Sequence, residues 1–317
     1  MRKLIVLSLI FMLMISLSSC QSNEIVYTDD DPFVIEMKGE SLKVLQLTDL
    51  HLTYGNDYRD RQTFELIKEL NDRDDYDLIV ISGDMAMSPG GPRLFSKLID
   101  VMESLETPWT FIFGNHETDF NMYQDYLKRI PNDTEYLYFK VGPELESGGV
   151  GNFHITMTKD GIPFYRIYLL DSKAERENYT EEEGEYDYLS LDQVAWYEDH
   201  VSQDTVRSMV FMHMPLRQYI DVDNIIQGSF LEDKVYAQGV DTGFFDMMVQ
   251  YAKTDAVFVG HDHLNDFIFY KDSIMLAYGR ATGLNGYGYL EKGGRHIEVK
   301  TNGDYVTSVI TASEDWS

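Results

Sequence analysis

Short apolar runs alternate with helical segments along most of the chain, and this alternation restricts the possible fold more than any other feature of the sequence. The apolar runs predict buried strands at 42–47, 77–82, 109–113, 209–212 and 256–259. Apolar residues at helical spacing predict helices at 63–71, 93–105, 191–201 and 244–252. Strand-helix-strand units connect with a right-handed sense and build an α/β sandwich.

Residues that commonly bind metal ions follow each of the five predicted strands. The blocks are Asp49-Leu50-His51, Gly83-Asp84, Gly114-Asn115-His116, His213 and Gly260-His261-Asp262-His263. Ligands collect at the carboxyl ends of strands in such sheets. Five of the eight histidines lie in these blocks, which chance does not explain. The other three, His154, His200 and His296, are expected to be structural or surface residues.

The donor atoms in these blocks favour two transition-metal ions. Three carboxylate or amide oxygens and four imidazoles suit Mn, Fe, Zn or Co better than Ca or Mg. Asp49 and His51 point to the same side if their segment stays extended, and could then bind one ion. The ligands outnumber those of one tetrahedral site, which indicates two ions sharing a carboxylate. Two ions about 3.5–4 Å apart typically activate a hydroxide for attack on phosphorus.

The ordered set Asp-x-His, Gly-Asp, Gly-Asn-His-Glu, His and Gly-His-x-His resembles the calcineurin-like metallophosphoesterases over roughly residues 41 to 265. This resemblance implies the metallo-dependent phosphatase fold, a four-layer sandwich of two mixed β-sheets flanked by α-helices. It also implies a role for each residue of the set. One ion would be held by Asp49, His51 and His263, the other by Asn115, His213 and His261, with Asp84 bridging them. Catalysis would depend on Asp84 and on His116, which contacts the substrate phosphate beside Asn115 and helps the leaving group depart.

A more local likeness extends beyond residue 265. Leu170-Asp171-Ser172, the segment 188–197, the Gly-rich segments 278–283 and 286–288, and Arg295 resemble a branch that includes plant proteins similar to purple acid phosphatase 29. Within it, the guanidinium of Arg280 could bind a substrate phosphate or carboxylate, or could cap a turn of the Gly-rich loop. Both alternatives remain open at this point.

One position departs from the better-known branches of the family. The third residue after Asp84 is a metal-binding Tyr in true purple acid phosphatases, and in protein serine/threonine phosphatases it is an Asp that pairs with the catalytic His. Here it is Met87. We therefore expect no purple colour, and we expect His116 to lack this Asp partner, which makes it a weaker general acid.

The amino terminus is typical of an exported bacterial lipoprotein. A cationic start precedes the apolar run 4–17, which is shorter than the ~20 residues that span a bilayer. Leu17-Ser18-Ser19-Cys20 resembles a lipobox, so residues 1–19 are predicted to be a signal peptide and Cys20 the lipidation site. An ordinary signal peptide with a chance cysteine is the alternative. Residues 20–38 would form a tether, and residues 39–317 a single domain held at the cell envelope, outside the cytoplasm.

Composition excludes several classes of function. Cys20 is the one cysteine, so an intramolecular disulfide, thiol catalysis and Cys-rich zinc sites are excluded. A formal charge of −28 repels polyanions, and no nucleic acid partner is expected.

These observations predict a dimetal phosphoesterase that hydrolyses small phosphate esters, with hydroxide as the nucleophile. One alternative is a phosphodiesterase or pyrophosphatase that acts on nucleotide or lipid-linked substrates. A non-catalytic interaction module with the same fold is another. Substrate choice is assigned to the loops 54–60, 132–151 and 219–236, and the oligomeric state is left open.

Overall fold

Two mixed β-sheets pack face to face, with helices on their outer faces. The computed structural model describes residues 24–55 and 57–313. The strands are β1 (Phe33–Glu36), β2 (Ser41–Leu47), β3 (Leu78–Ser82), β4 (Trp109–Ile112), β5 (Phe153–Lys159), β6 (Ile162–Leu169), β7 (Arg207–Phe211), β8 (Thr254–Val259), β9 (Ile268–Lys271), β10 (Ile274–Tyr278), β11 (Gly293–Lys300) and β12 (Tyr305–Thr311). The α-helices are α1 (Tyr58–Asn71), α2 (Gly91–Glu103), α3 (Tyr123–Leu127), α4 (Leu191–Val201) and α5 (Phe244–Tyr251), and short 3-10 helices span His116–Thr118 and Arg217–Tyr219.

The order of the strands brings several carboxyl ends to one edge of each sheet. The five-stranded sheet has the order β12-β11-β2-β3-β4, in which β2, β3 and β4 are parallel. The seven-stranded sheet has the order β1-β5-β6-β7-β8-β10-β9, in which β6, β7, β8 and β10 are parallel. The predicted α/β fold with two mixed sheets is therefore confirmed.

Side chains of β2 show why this strand is buried on both faces. Leu42 and Val44 point into the core between the sheets, whereas Leu45 and Leu47 point toward α1 and α2. Gln46 lies on the inner face, where its Nε2 donates hydrogen bonds to Ser82 Oγ (2.8 Å) and Val259 O (3.0 Å). This amide ties the two sheets together near their carboxyl ends.

The helix predicted at 63–71 begins five residues earlier. The carboxylate of Asp57 accepts a hydrogen bond from the Asp60 backbone N–H (2.8 Å) and caps the first turn of α1. Tyr58 and Arg59 therefore lie on a helix rather than in the predicted loop 54–60.

The folded unit extends into the residues predicted to form a tether. Phe33 packs against the core, Ile35 is buried, and β1 pairs in parallel with β5. Asp30 accepts a hydrogen bond from Trp196 Nε1 (2.9 Å) and lies 3.1 Å from His200 Nε2. Residues 1–23, which include the predicted signal peptide and Cys20, lie outside the described residues. In the part of the chain that the structure describes, no helix is both long and apolar enough for a membrane span.

Candidate metal centre

The carboxyl ends of β2, β3 and β4 lie against those of β7 and β8, and the predicted ligands meet there. All seven are at least about nine-tenths buried: Asp49 and His51 follow β2, Asp84 follows β3, Asn115 follows β4, His213 follows β7, and His261 and His263 follow β8. The predicted ligand blocks thus form a single site.

The first group consists of Asp49, His51 and His263. His51 Nε2 lies 2.9 Å from His263 Nε2, and Asp49 Oδ1 lies 3.3 Å from His263 Nε2 and 3.9 Å from His51 Nε2. His263 Nδ1 is 3.0 Å from the carbonyl oxygen of Tyr287, to which it can donate its proton. In the neutral ring this leaves the lone pair of Nε2 pointing at the group.

The second group consists of Asn115, His213 and His261. Asn115 Oδ1 lies 3.1 Å from His213 Nε2 and 3.0 Å from His261 Nδ1. The amide is held in this orientation because its Nδ2 donates to Glu175 Oε1 (3.1 Å). His213 Nδ1 is 2.8 Å from the Ser82 carbonyl oxygen, so the neutral ring also presents Nε2 as a lone pair.

Asp84 lies between the two groups. Its Oδ2 is 3.1 Å from His213 Nε2 and 3.6 Å from His51 Nε2, which is the position a bridging carboxylate would take. The structure therefore brings the seven residues together in the two sets that the resemblance implies. Their role as metal ligands stays a prediction.

The chemistry of this cluster fits bound cations. In this cluster, lone pairs face one another with little access to water. They belong to imidazole nitrogens and to carboxylate and amide oxygens. Only a positive charge or a proton between them makes such contacts favourable. Burial opposes ionisation, yet the facing His263 holds the pKa of Asp49 below its ordinary value, and His213 does the same for the pKa of Asp84. Both carboxylates are thus available as anionic ligands for a dinuclear centre.

Several of these residues have an uncommon backbone conformation. Asp49, His51, Asp84 and His261 have φ angles of 54°, 45°, 53° and 78°. Non-glycine residues rarely adopt positive φ, and such residues concentrate at functional sites. The condition that residues 49–51 stay extended is not met, because the chain turns at both ends of this segment. Backbone hydrogen bonds from Asp49 N to Gly83 O (3.2 Å) and from His51 N to Asp84 O (2.9 Å) stabilise the turn.

Two glycines allow the loops to approach this closely. A β-carbon on Gly83 would lie 2.4 Å from His213 Nδ1, and Gly83 also has a φ of 96°. A β-carbon on Gly114 would lie 2.2 Å from Asp84 Oδ1 and 2.5 Å from the Asp84 backbone nitrogen. The glycine before each of these ligands is therefore part of the site.

His116 lies at the exposed side of the cluster and does have a carboxylate partner. Its Nε2 is 4.0 Å from Asp84 Oδ2, and its Nδ1 is 2.7 Å from Asp119 Oδ2. The Asp partner is missing at the position of Met87, as expected, but Asp119, three residues after His116, provides a carboxylate to the same ring. Burial works against protonation, but Asp84 and Asp119 together raise the pKa of His116 above its ordinary value. The spacing of three residues between His116 and Asp119 is the signal in the sequence that indicates this pair.

The structure favours the turn-capping alternative for Arg280. Its Nε and Nη2 bind the carboxylate of Asp266, and its Nη1 donates to the Glu291 carbonyl oxygen (2.6 Å). The guanidinium is thus engaged within the Gly-rich region, and no described contact joins it to the predicted ligands.

Glu117 is a further buried residue of the site, and the sequence alone assigned it no role. Its two carboxylate oxygens accept hydrogen bonds from the backbone N–H groups of Gly114 (2.7 Å) and Ala86 (3.0 Å). Burial and the charge of Asp84 raise the pKa of Glu117 to about 7. This side chain connects the loop after β4 to the loop after β3, and its place in the Gly-Asn-His-Glu block is the signal that could have identified it.

Together, two mixed sheets and a ligand cluster at their adjoining carboxyl ends define the metallo-dependent phosphatase fold with a candidate dinuclear centre. The sequence profile of the calcineurin-like phosphoesterase family matches residues 42–265, and the chain belongs to this family.

Individual relatives agree with this assignment. A protein named probable inactive purple acid phosphatase 14, from Arabidopsis thaliana, is 25% identical over 291 residues, which cover 78% of this chain and 71% of the relative. The phosphatase DCR2 of Saccharomyces cerevisiae is 26% identical over 279 residues, covering 75% of this chain and 47% of its own length. A solved dimetal phosphatase from Danio rerio has a TM-score of 0.54 at 13% identity, covers 84% of this chain and 98% of its own, and supports the fold alone. The predicted likeness to purple acid phosphatases is confirmed by the first of these names.

We predict that Gly114→Ala weakens metal binding, because the added methyl group displaces the Asp84 carboxylate. Disturbing a supporting contact of this kind lowers metal affinity by about 10–100-fold. Gly39→Ala is the matched control, since a β-carbon at Gly39 has no neighbour within 4 Å. Metal titration of both variants, followed by elemental analysis, measures the effect. Equal affinities would show that Gly114 does not set the position of Asp84.

Proposed function

We propose that this protein is a dimetal phosphoesterase that hydrolyses small phosphate esters. One observation carries the proposal: Asp84 lies between two groups of three candidate ligands, with His116 beside it at the exposed edge. Bound ions supply a nucleophilic water and neutralise the charge that develops on the phosphoryl oxygens.

The remaining chemistry is assigned to His116 and Asp119. With Nδ1 donating to the Asp119 carboxylate, His116 presents Nε2 toward Asp84 and the open side of the site. A proton on Nε2 can pass to the leaving oxygen of the ester as the bond to phosphorus breaks. Asp119 fixes the ring orientation and stabilises the protonated ring, so it is a positioning residue.

Whether the favoured substrates are monoesters or diesters depends on the surroundings of the metal centre. Parallel assays of an aryl phosphate and its diaryl counterpart with Mn, Fe, Co and Zn test this point. A non-catalytic role is the second candidate, because a related plant protein is named inactive. Elemental analysis that finds no transition metal in the purified protein would favour that alternative.

Export and lipid anchoring through Cys20 are proposed on the sequence alone. Mass spectrometry of the protein from bacterial membranes tests this. A mature chain that begins elsewhere, or an unmodified Cys20, would refute it.

We predict that His116→Ala lowers kcat by about 100-fold or more and leaves the metal content unchanged, since general acid catalysis contributes about 10²–10⁴-fold. Asp84→Asn is expected to lose both activity and metal, because it removes the shared charge. His296→Ala, which lies away from the cluster against Tyr76, is the control. Steady-state kinetics with elemental analysis distinguish these outcomes. Unchanged kcat in both site variants would refute the mechanism.

We predict that Asp119→Asn lowers kcat by about 10-fold, and that the loss grows with the basicity of the leaving group. The reason is that a poorly oriented acid matters most when the departing oxygen needs its proton. A series of aryl and alkyl phosphates gives the dependence of kcat on leaving-group pKa. Asp133→Asn, an exposed substitution, serves as the control. A uniform loss across the series would indicate a purely structural role for Asp119.

A further inference from the structure

A cavity of about 910 Å³ lies beside the metal centre, within the size range of sites that hold small organic molecules. Its walls come from the first turns of α1 and from the loop that leads into β11. Gly286 forms part of the wall, and a β-carbon there would lie 2.6 Å from His263 Cε1 and 3.2 Å from His51 Cδ2. One wall residue of the cavity therefore packs against the first group of candidate ligands.

Two cationic side chains, Arg59 and Lys292, line this cavity. Among residues 24–55 and 57–313, no carboxylate lies within ion-pair distance of either side chain. Lys292 Nζ has a carbonyl contact, with Tyr287 O at 3.3 Å. Glu291 is the one acidic residue of the lining and is exposed. The cavity thus carries a net positive charge in a protein whose formal charge is −28.

Lys292 is half-buried, and the charge of Asp49 favours its protonated form. Burial lowers the pKa of Lys292 to about 8, which still leaves the ammonium group mostly protonated at neutral pH. A half-buried cation with no carboxylate within ion-pair distance keeps part of its desolvation penalty, and a bound anion reduces that penalty. Functional sites commonly contain such groups.

Aromatic side chains line the same cavity. Tyr58 and Tyr289 line it and are 66% and 76% exposed, so their rings are available for contact. Tyrosine rings of this kind provide flat apolar surfaces that pack against planar ligands.

We propose that this cavity binds the alcohol portion of the substrate, and that this portion is a planar ring carrying an anionic group of its own. The inference rests on the proposed function, since it places the phosphoester at the metal centre. Arg59 and Lys292 bind the second anion, a carboxylate or a phosphate, while Tyr58 and Tyr289 cover the ring. The acidic surface disfavours polyanions in general, and this cavity is a local exception.

Non-hydrolysable phosphonates test the proposal independently of turnover. The metal-loaded protein is titrated calorimetrically with benzylphosphonate, with 4-carboxybenzylphosphonate and with 1,4-bis(phosphonomethyl)benzene. We expect at least one of the doubly anionic compounds to bind about 10-fold more tightly than benzylphosphonate, the effect of one charge-assisted hydrogen bond. Which of the two binds better identifies a carboxylate or a phosphate as the second anion.

Variants then identify the side chains that are responsible for the preference for doubly anionic compounds. The affinity ratio is the affinity for the preferred doubly anionic compound divided by that for benzylphosphonate. Lys292→Met and Arg59→Met should each reduce this ratio by about 3–10-fold, whereas Lys292→Arg should keep it. Lys128→Met is the matched control, because it removes the same charge from an exposed position outside the cavity. Arg59 is exposed at the start of α1, so its substitution is expected to leave folding intact. The Arg59 variant therefore tests anion binding in the cavity even if a Lys292 variant folds poorly.

An affinity ratio near one in the unmodified protein, or a ratio that survives both Met substitutions, would overturn the inference. A protein that shows the ratio but hydrolyses no phosphoester would support the anion site and refute the proposed hydrolysis. The two proposals can therefore fail separately.

Discussion

The structure depends on holding two carboxylates and four imidazoles within about 4 Å of their neighbours and away from water. Such a cluster is unstable by itself, because buried charges lose their hydration and adjacent lone pairs repel. Strand ends, caps and backbone hydrogen bonds hold it in place, as in the pairing of Asp49 and His51 with the loop after β3. Cations that bind the folded state but not the unfolded chain also stabilise that state. Folding and metal binding are thus expected to be linked.

Much of the site can be predicted from the sequence because its ligands directly follow strands. An apolar run identifies a strand, and the next few residues are then placed at a sheet edge without knowledge of distant contacts. This is why the amino-acid pattern alone is enough to assign Asp49, Asp84 and His213 to one site. The fold can be predicted for the same reason, since alternating strands and helices leave few arrangements.

Other features cannot be predicted in this way because they depend on contacts between distant parts of the chain, or on a partner in an unexpected position. In the sequence-based prediction, a carboxylate partner of His116 is considered only at the position of Met87, whereas the structure provides one from Asp119. The predicted tether is polar and acidic, yet β1 pairs with a strand more than a hundred residues away. In the loop before β11, the sequence-based prediction considers Arg280 for substrate binding but gives no role to Tyr287, whose backbone supports His263, or to Lys292, which lines the cavity.

The direction of β1 determines the edge at which the chain joins the seven-stranded sheet. This strand is parallel to β5, β5 is antiparallel to β6, and β6 runs parallel to β7 and β8. The amino end of β1 therefore lies at the edge of the sheet where the carboxyl ends of β7 and β8 lead into the site. The segment that precedes β1 thus joins the seven-stranded sheet at the edge where the candidate ligands lie.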